Sequence, residues 1–341
     1  MSDRDAAPPP KSAGIVHPQE TQVVSQFKHE RSLLSCRYDP SGRYIVAGSQ
    51  DNSVVRWNAE TGEKTVLAGH GSWTRGLAFS PDGTTLLTSG YDGRLVWWRH
   101  EDGASQPLRT VEAHDGWIRA VDVSPDGQLI ATVGNDHLVK LFRMDSGELV
   151  AELAGHEDHV YSVLFHPDGE SLLSGDLLCH VRQWNVESQE MMRTFDAKPL
   201  RVYHESQRVH YGGVRCLALS GDGTQLACGG LHEASNPLAA DQQPLVVVFD
   251  WESGEQMHTL EAGEKVIAIT WRVIYHPEGF LISVSGSEGG YLMFFKPGEN
   301  TAFHRLKVAG SAFDGDLHPD GLHIATAHHD GQIRVSRMTT T

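Results

Sequence analysis

Histidine is the residue type in this chain that could most readily do chemistry, because its side chain both binds metal ions and exchanges protons near neutral pH. Of the twenty histidines, five stand at one recurring position, eleven residues before a glycine-containing turn: His29, His70, His114, His156 and His210. That recurrence distributes them over separate repeats, and the chain has neither a His-Glu-x-x-His motif nor a zinc-type cysteine pair. We therefore predict structural roles for these five histidines and no metal site.

Other reactive groups form no catalytic motif. The chain has no Gly-x-Ser-x-Gly elbow and no paired-carboxylate motif, and Asp314 and Asp316 alternate as polar residues of a strand do. Four cysteines without zinc-ligand spacing are predicted to be reduced and buried: Cys36, Cys179, Cys216 and Cys228. Three further histidines stand beside turns and are expected to be exposed: His166, His276 and His318. We predict no catalytic residues and no cofactor.

The elements that carry these residues repeat along the chain. Seven glycine-containing turns begin at Pro40, Pro81, Pro125, Pro167, Gly221, Pro277 and Pro319. Seventeen residues after six of these positions stand Trp57, Trp98, Phe142, Trp184, Phe294 and Ser336. In the fifth unit the aromatic residue is Phe249, because that unit carries an insertion. A period of about 42 residues fits one four-stranded blade per unit.

The repeat pattern predicts an all-β, seven-bladed β-propeller of four-stranded antiparallel blades. No stretch shows sustained helical periodicity, and such units bury their apolar faces only by stacking in a ring. The last unit lacks its fourth strand, which we expect residues 22–27 to supply by pairing with residues 333–336. We predict a disordered tail over residues 1–20 and a single domain over residues 21–341. Because the N-terminus has no apolar run, we expect no membrane span and a cytoplasmic location.

Residues 21–338 resemble the WD-repeat family of seven-bladed propellers. The resemblance rests on the Gly-His pairs at 69–70 and 155–156, the recurring turns, and strand endings such as Val-Arg-Trp-Asn at 55–58. It implies a hydrogen-bond tetrad in each blade, which is complete in the second: His70, Thr88, Asp92 and Trp98. The other tetrads have gaps, since the first has Ala47, the third has Phe142, and the fourth has Leu178 where the aspartate belongs.

The same resemblance implies which residues surround the channel on the face of the tetrad histidines. These positions are predicted to bind a partner and hold Trp73, Arg75, Tyr91, Trp117, Arg119, Asn135, His159, Tyr161 and Arg215. Tryptophan, tyrosine and arginine are enriched among residues that dominate binding energy. The alternative for Trp73 and Trp117 is core packing between blades. Insertions at 196–209 and 231–243 are expected on this face, either as a functional wall or as passive loops.

The composition narrows the class of partner. The net charge of −16 disfavours binding along a nucleic-acid backbone, which depends on lysine and arginine. Arg75, Arg119 and Arg215 would form a local cationic site in this acidic protein, which suits an anionic group on the partner. We predict a non-catalytic scaffold that presents the insertion-bearing face to a protein or peptide, with no nucleic-acid and no membrane partner. The alternative is a propeller enzyme, hydrolytic or oxidoreductase, that binds a small ligand at the channel mouth.

Overall fold

The chain forms a closed ring of seven antiparallel β-sheets of four strands each, in a computed structural model that describes residues 14–100, 105–234 and 241–341. The first strand of each sheet contacts the first strands of the neighbouring sheets, so these strands surround a central channel. The seven-bladed propeller predicted from the repeats is therefore confirmed. Within the described residues, one three-residue 3-10 turn is the only helix, and none could cross a membrane.

Strand β1 (Val16–Lys28) comes before the blades. Blade one is β2 (Leu33–Tyr38), β3 (Tyr44–Ser49), β4 (Ser53–Asn58) and β5 (Lys64–Ala68). Blade two is β6 (Thr74–Phe79), β7 (Thr85–Gly90), β8 (Arg94–Arg99) and β9 (Pro107–Glu112). Blade three is β10 (Ile118–Val123), β11 (Leu129–Gly134), β12 (Val139–Arg143) and β13 (Leu149–Leu153). Blade four is β14 (Val160–Phe165), β15 (Ser171–Asp176), β16 (His180–Asn185) and β17 (Met191–Asp196).

An insertion follows, containing the 3-10 turn Lys198–Leu200 and a hairpin of β18 (Tyr203–His204) and β19 (Val209–His210). Blade five is β20 (Cys216–Leu219), β21 (Gln225–His232), β22 (Gln243–Asp250) and β23 (Gln256–Glu261). Blade six is β24 (Ala268–Tyr275), β25 (Leu281–Ser287), β26 (Gly290–Phe295) and β27 (His304–Val308). Blade seven is β28 (Ala312–Leu317), β29 (His323–His328), β30 (Gln332–Thr340) and β1.

The ring is closed by β1, which pairs antiparallel with β30 as its outer neighbour in blade seven. Gln22 lies opposite Arg337 and Phe27 lies opposite Ile333, so the predicted closure by the N-terminal strand is confirmed. The domain boundary predicted at residue 21 falls inside β1, and residues 1–13 of the predicted tail lie outside the described residues. Pairing the two ends of the chain in one blade covers the sheet edges that each would otherwise expose.

Apolar side chains from adjacent blades pack together and form the core. Phe195 and Val214, for example, share one cluster between blades four and five, and Val160 packs with Val133 between blades three and four. The blade-closing residues Trp57, Trp98, Phe249 and Phe294 are buried. All four cysteines are buried and unpaired, as predicted, and burial raises the pKa of the Cys216 thiol to about 12.

The tetrads lie at one end of the ring, which we call the tetrad face. In blade two, the hydroxyl of Thr88 lies 2.7 Å from Nε2 of His70 and accepts a hydrogen bond of 2.8 Å from the indole of Trp98. The carboxylate of Asp92 lies 3.2 Å from Nδ1 of His70, so this predicted tetrad is complete. The glycine-containing turns between the first and second strands lie at the opposite end, the turn face, because successive strands alternate in direction.

Blade four also has a complete tetrad, which corrects the prediction that it lacks an aspartate. The carboxylate of Asp176, two residues before Leu178, lies 2.7 Å from Nδ1 of His156, and Ser174 bonds both His156 and the indole of Trp184. The corresponding residue of blade two is Gly90, where a Cβ would lie 2.8 Å from Nδ1 of His70. A side chain at this position therefore points directly at the histidine.

Two further predictions for histidines were wrong. His210 belongs to no tetrad but lies in the β18–β19 hairpin, where its ring contacts Tyr203 at a centroid distance of 4.6 Å. His166 and His276 are buried rather than exposed, and Nε2 of His276 donates to the carbonyl of Gly321 in the next blade at 2.7 Å. A histidine beside a turn thus ties neighbouring blades together at the turn face.

Candidate functional site

Each blade presents one side chain to the channel at the tetrad face, at or just before the start of its inner strand. In six blades the register with the second strand shifts by one residue near the start of the inner strand. Such β-bulges redirect a side chain away from the regular alternation. The residues at the shifts, with Arg215 directly before β20 in blade five, form what we call the mouth ring: Leu34, Arg75, Arg119, Tyr161, Arg215, Trp271 and Phe313.

Arg119 is the most tightly held member of the mouth ring. Its guanidinium carbon lies 4.8 Å from the ring centroids of both Trp117 and Tyr161 and 5.2 Å from that of Tyr91. Nε donates to the side-chain oxygen of Asn135 at 2.8 Å, and another nitrogen donates to the Tyr91 hydroxyl at 3.1 Å. Tyr91 and Trp117 stack in parallel with centroids 4.2 Å apart. The guanidinium plane is thereby fixed before any partner arrives.

The other two arginines extend this arrangement around the channel. The guanidinium of Arg215 lies 4.1 Å from the Tyr161 ring and donates to the Tyr211 carbonyl at 2.8 Å. Arg75 donates to the Leu34 carbonyl and lies 5.3 Å from the ring of Trp271. Because blades two and six are not neighbours, this last contact reaches across the channel. The mouth ring therefore lies over a channel cavity of about 430 Å³ that all seven of its members line.

The predicted site residues fall into one large group and one outlier. Contacts join Trp73, Tyr91, Trp117, Arg119, Asn135, Tyr161 and Arg215 directly, and Arg75 joins them through Trp271. His159 lies apart, next to His137. Trp73 is 42% exposed and Trp117 is 43% exposed, so neither ring is buried between blades as the alternative required.

Sequence reasoning missed Trp271 and Phe313. The predicted positions were numbered forward from the loop histidine of each blade. Blades six and seven have no such histidine, because Val266 and Val308 stand at that position. Counting six residues back from the turns at Pro277 and Pro319 would have found both.

Carboxylates inside the channel hold neighbouring inner strands together. Asp314 forms an ion pair of 2.7 Å with Arg37, and Asp316 accepts the backbone N–H of Tyr38 at 2.9 Å. Asp122 in blade three accepts the N–H of Phe165 in blade four at 2.7 Å, and burial raises the pKa of this carboxyl to about 6. Each of these acids is thus already bonded to the next blade.

Two groups of histidine and aspartate could hold a metal ion among the described residues, with ligand atoms within 4.8 Å of one another. One is His318, Asp320 and His323 at the turn face, and the other is His137, Asp158 and His159 at the tetrad face. Burial and the nearby positive groups of Arg119 and His137 lower the pKa of His159.

The two insertions lie on the tetrad face and touch each other. Leu200 anchors the first insertion in the core between blades four and five. The second extends β21 and β22 by additional pairs such as Leu231 with Pro244. The Tyr211 hydroxyl donates to the Ala234 carbonyl at 2.6 Å, and residues 235–240 lie outside the described part of the chain. Because Tyr211 also accepts from Arg215, the insertions stand directly beside the mouth ring.

Comparison with known proteins agrees with this architecture. The chain is 23% identical over 283 residues to periodic tryptophan protein 2 of Arabidopsis thaliana, covering 80% of this chain and 29% of the relative. It is 21% identical to a striatin homolog of Dictyostelium discoideum, covering 91% of this chain and 35% of the relative. It is 28% identical to small ribosomal subunit protein RACK1 of Candida albicans, covering 87% of this chain and 89% of the relative.

The chain therefore spans about a third of the length of the first two relatives and most of the third. Proteins of this kind are typically scaffolds for protein interactions and are generally not catalytic. The family model for the WD domain, G-beta repeat, matches residues 21–58, 62–99, 105–143, 147–185 and 198–232. With more than half of its length matched by these repeats, the chain belongs to the WD-repeat family.

Proposed function

We propose that the protein is a non-catalytic scaffold that binds a peptide or protein partner at the mouth ring and the neighbouring Trp73, Tyr91 and Trp117. The observation that carries this proposal is the fixed stack around Arg119, which presents aromatic rings and a guanidinium at an exposed surface. Preorganised aromatic and arginine side chains contribute most to binding because little conformational freedom is lost when the partner docks.

The partner's contacting group is anionic. Three arginines converge at the mouth in a protein with a net charge of −16, so the local field there differs from the rest of the surface. Arginine guanidinium groups bind a carboxylate or phosphate through charge-assisted hydrogen bonds, so an anionic group of the partner suits this site.

The arrangement gives less support to the enzyme alternative and to nucleic acid. No member of the mouth ring is a histidine or a carboxylate, and Asp122, Asp314 and Asp316 are bonded between blades. The acidic composition opposes binding along a phosphate backbone. Four unpaired cysteines are typical of a reducing compartment, which supports our proposal of a cytoplasmic location.

A charge-reversal experiment tests the site. We expect the double variant Arg75→Glu, Arg119→Glu to lose at least tenfold in partner capture from native extract, because an acidic mouth repels the anionic group. The matched control is Arg99→Glu, Arg143→Glu, which makes the same charge change on exposed residues of the same two blades at the turn face.

Unfolding midpoints confirm that both variants are folded. Peptides of the captured partner, with each acidic or phosphorylated residue replaced in turn by a neutral one, then identify the anionic group. Equal capture by the two double variants would contradict the proposal.

A further inference from the structure

We propose that His137, Asp158 and His159 form a binding site for a divalent transition-metal ion of the Zn²⁺ type, on the tetrad face between blades three and four. The sequence predicts no metal site, because histidines in different repeats lie far apart along the chain. The fold brings these residues together: His137 lies in the turn between β11 and β12, and His159 directly precedes β14 of the next blade. Their ligand atoms and that of Asp158 all lie within 4.8 Å of one another.

The ligand set has the chemistry of a zinc-type site. Imidazole nitrogen is a borderline ligand, and two imidazoles with one carboxylate favour Zn²⁺, Co²⁺ and Ni²⁺ over Mg²⁺ or Ca²⁺. The His137 and His159 rings lie with centroids 5.5 Å apart at 64° to each other, so both can direct a nitrogen towards one point. Asp158 accepts the backbone N–H of His159 at 2.7 Å, which holds its carboxylate beside that ring.

A second observation is that, within the described residues, the rings of these two histidines make no structural hydrogen bond. In the tetrads, both ring nitrogens of His70, His114 and His156 lie within hydrogen-bond distance of a side-chain oxygen. Within residues 14–100, 105–234 and 241–341, no hydrogen bond reaches the ring of His137 or His159. The nearest carboxylate oxygen to Nδ1 of His159 belongs to Asp158, at 3.7 Å. Ring nitrogens that serve no structural bond are available to a metal ion.

The turn that carries His137 determines the choice of test variant. His137 has a φ of 67°, in the left-handed region, and the corresponding turn residues of blades one, two, four and seven, with a similar φ, are Asn52, Gly93, Cys179 and Gly331. Asparagine and glycine adopt this conformation readily. This geometry supplies a clean test variant, because His137→Asn removes the imidazole and keeps a residue suited to the turn.

The other histidine and aspartate cluster serves as the contrast. There, Nε2 of His318 bonds the Gly42 carbonyl at 3.1 Å, and its Nδ1 accepts the N–H of Asp320 at 3.0 Å. His323 donates from Nδ1 to Asp320 at 2.7 Å. His276 makes the same two hydrogen bonds as His318, although its turn lacks a second histidine. The bonds of His318 are therefore a feature of the turn and do not indicate a metal site. We therefore assign that cluster no metal.

Three protein ligands leave one position of a tetrahedral ion open. A water molecule fills that position in the free protein, and a carboxylate or imidazole of a docked partner could replace it. His159 lies two residues before Tyr161 of the mouth ring, so the proposed metal site and the mouth ring are on the same face of the propeller.

Metal titration of the untagged, chelator-treated full chain tests the site. We expect one Co²⁺ or Zn²⁺ ion to bind with micromolar affinity by calorimetry, with Co²⁺ giving a visible absorption band. His137→Asn and His159→Gln should each weaken binding at least tenfold, and Asp158→Asn should weaken it by a smaller factor. His323→Gln, in the other cluster, should bind as the wild type does.

Three results would overturn the site: wild-type binding no tighter than millimolar, unchanged binding in His137→Asn, or loss of binding in His323→Gln. Circular dichroism establishes that each variant is folded. Because no partner is present in these titrations, their outcome is independent of whether the mouth ring binds a protein.

Discussion

Blades two to four and blades five and six differ in the interactions that the loop before the inner strand makes. Blades two to four use hydrogen bonds there, and blades five and six use apolar packing. In blades two to four, a histidine from the loop before the inner strand bonds a hydroxyl and a carboxylate of its own blade. In blade six the histidine position is Val266, which is buried in an apolar cluster with Ala268 and Leu260. In blade five, Leu200 of the insertion packs with Val214 and Phe249. The space can be filled by a polar network or by apolar packing.

The mouth ring is independent of this difference. Arg75, Arg119 and Tyr161 stand on blades with tetrads, whereas Arg215 and Trp271 stand on blades without them, yet all five line the same cavity. A bulge in the inner strand, rather than the tetrad, directs four of these side chains inward, and Arg215 lies directly before the regularly paired strand β20. The contacts that stabilise the blades therefore differ from the features that direct side chains into the proposed binding face.

Removing the carboxylate of the blade-four tetrad should have the largest effect. Asp176 is fully buried and lies 2.7 Å from His156, so Asp176→Ala strands a buried polar group and should cost about 3 to 5 kcal/mol of unfolding free energy. Asp51→Ala in blade one, where the carboxylate is partly exposed and the tetrad has Ala47, should cost only about 1 kcal/mol. Urea denaturation measures both. Equal losses of unfolding free energy in the two variants would show that the completeness of the tetrad does not affect the stability of the blade.

Removal of the hydroxyl that bonds both the histidine and the tryptophan of a complete tetrad should have an intermediate effect on the free energy of unfolding. Thr88→Val removes the partner of both His70 and Trp98 and places valine where blade six has Val284, at a cost of about 2 kcal/mol. The matched variant is Thr132→Val in blade three, where Phe142 has no indole to lose, so the cost should be about 1 kcal/mol. Denaturation midpoints that rank the two variants in the reverse order would break the comparison.

Much of the fold followed from the sequence, because each blade repeats its turn at a fixed distance from its closing aromatic residue. The strand count and the closure by the N-terminal strand derive from that spacing, and the blade-two tetrad was implied by the resemblance to the WD-repeat family. The spacing fails at Asp176, since two backbone positions, those of Gly90 and Asp92 in blade two, lead to the same point beside the histidine. A rule that counts residues along the chain recognises only one of these two positions.

The site was predicted less completely, for a related reason. The positions of the exposed Trp73 and Trp117 and of the arginines were implied by the resemblance to the WD-repeat family. Trp271 was not, because its blade has no loop histidine from which to count. The stacking of Arg119 between three rings and the contact of Arg75 across the channel depend on the radius of the ring. No local spacing contains that information.

The smallest expected effect concerns Asp122, the carboxylate by which blade three bonds the inner strand of blade four. Burial raises its folded-state pKa to about 6, above its value in the unfolded chain, so the folded state loses stability as pH rises from about 4 to 6. Asp122→Asn removes this titration and can still accept the N–H of Phe165. The variant should match the wild type near pH 4 and exceed it by about 1 kcal/mol above pH 6, less than the full shift implies because the carboxyl faces the open channel. Unfolding midpoints measured from pH 4 to 8 give this difference directly. A constant difference across that range would mean that the carboxylate, like those of Asp92 and Asp136, whose pKa values are lowered, despite burial, by hydrogen bonds from histidine, stabilises its blade in the charged form.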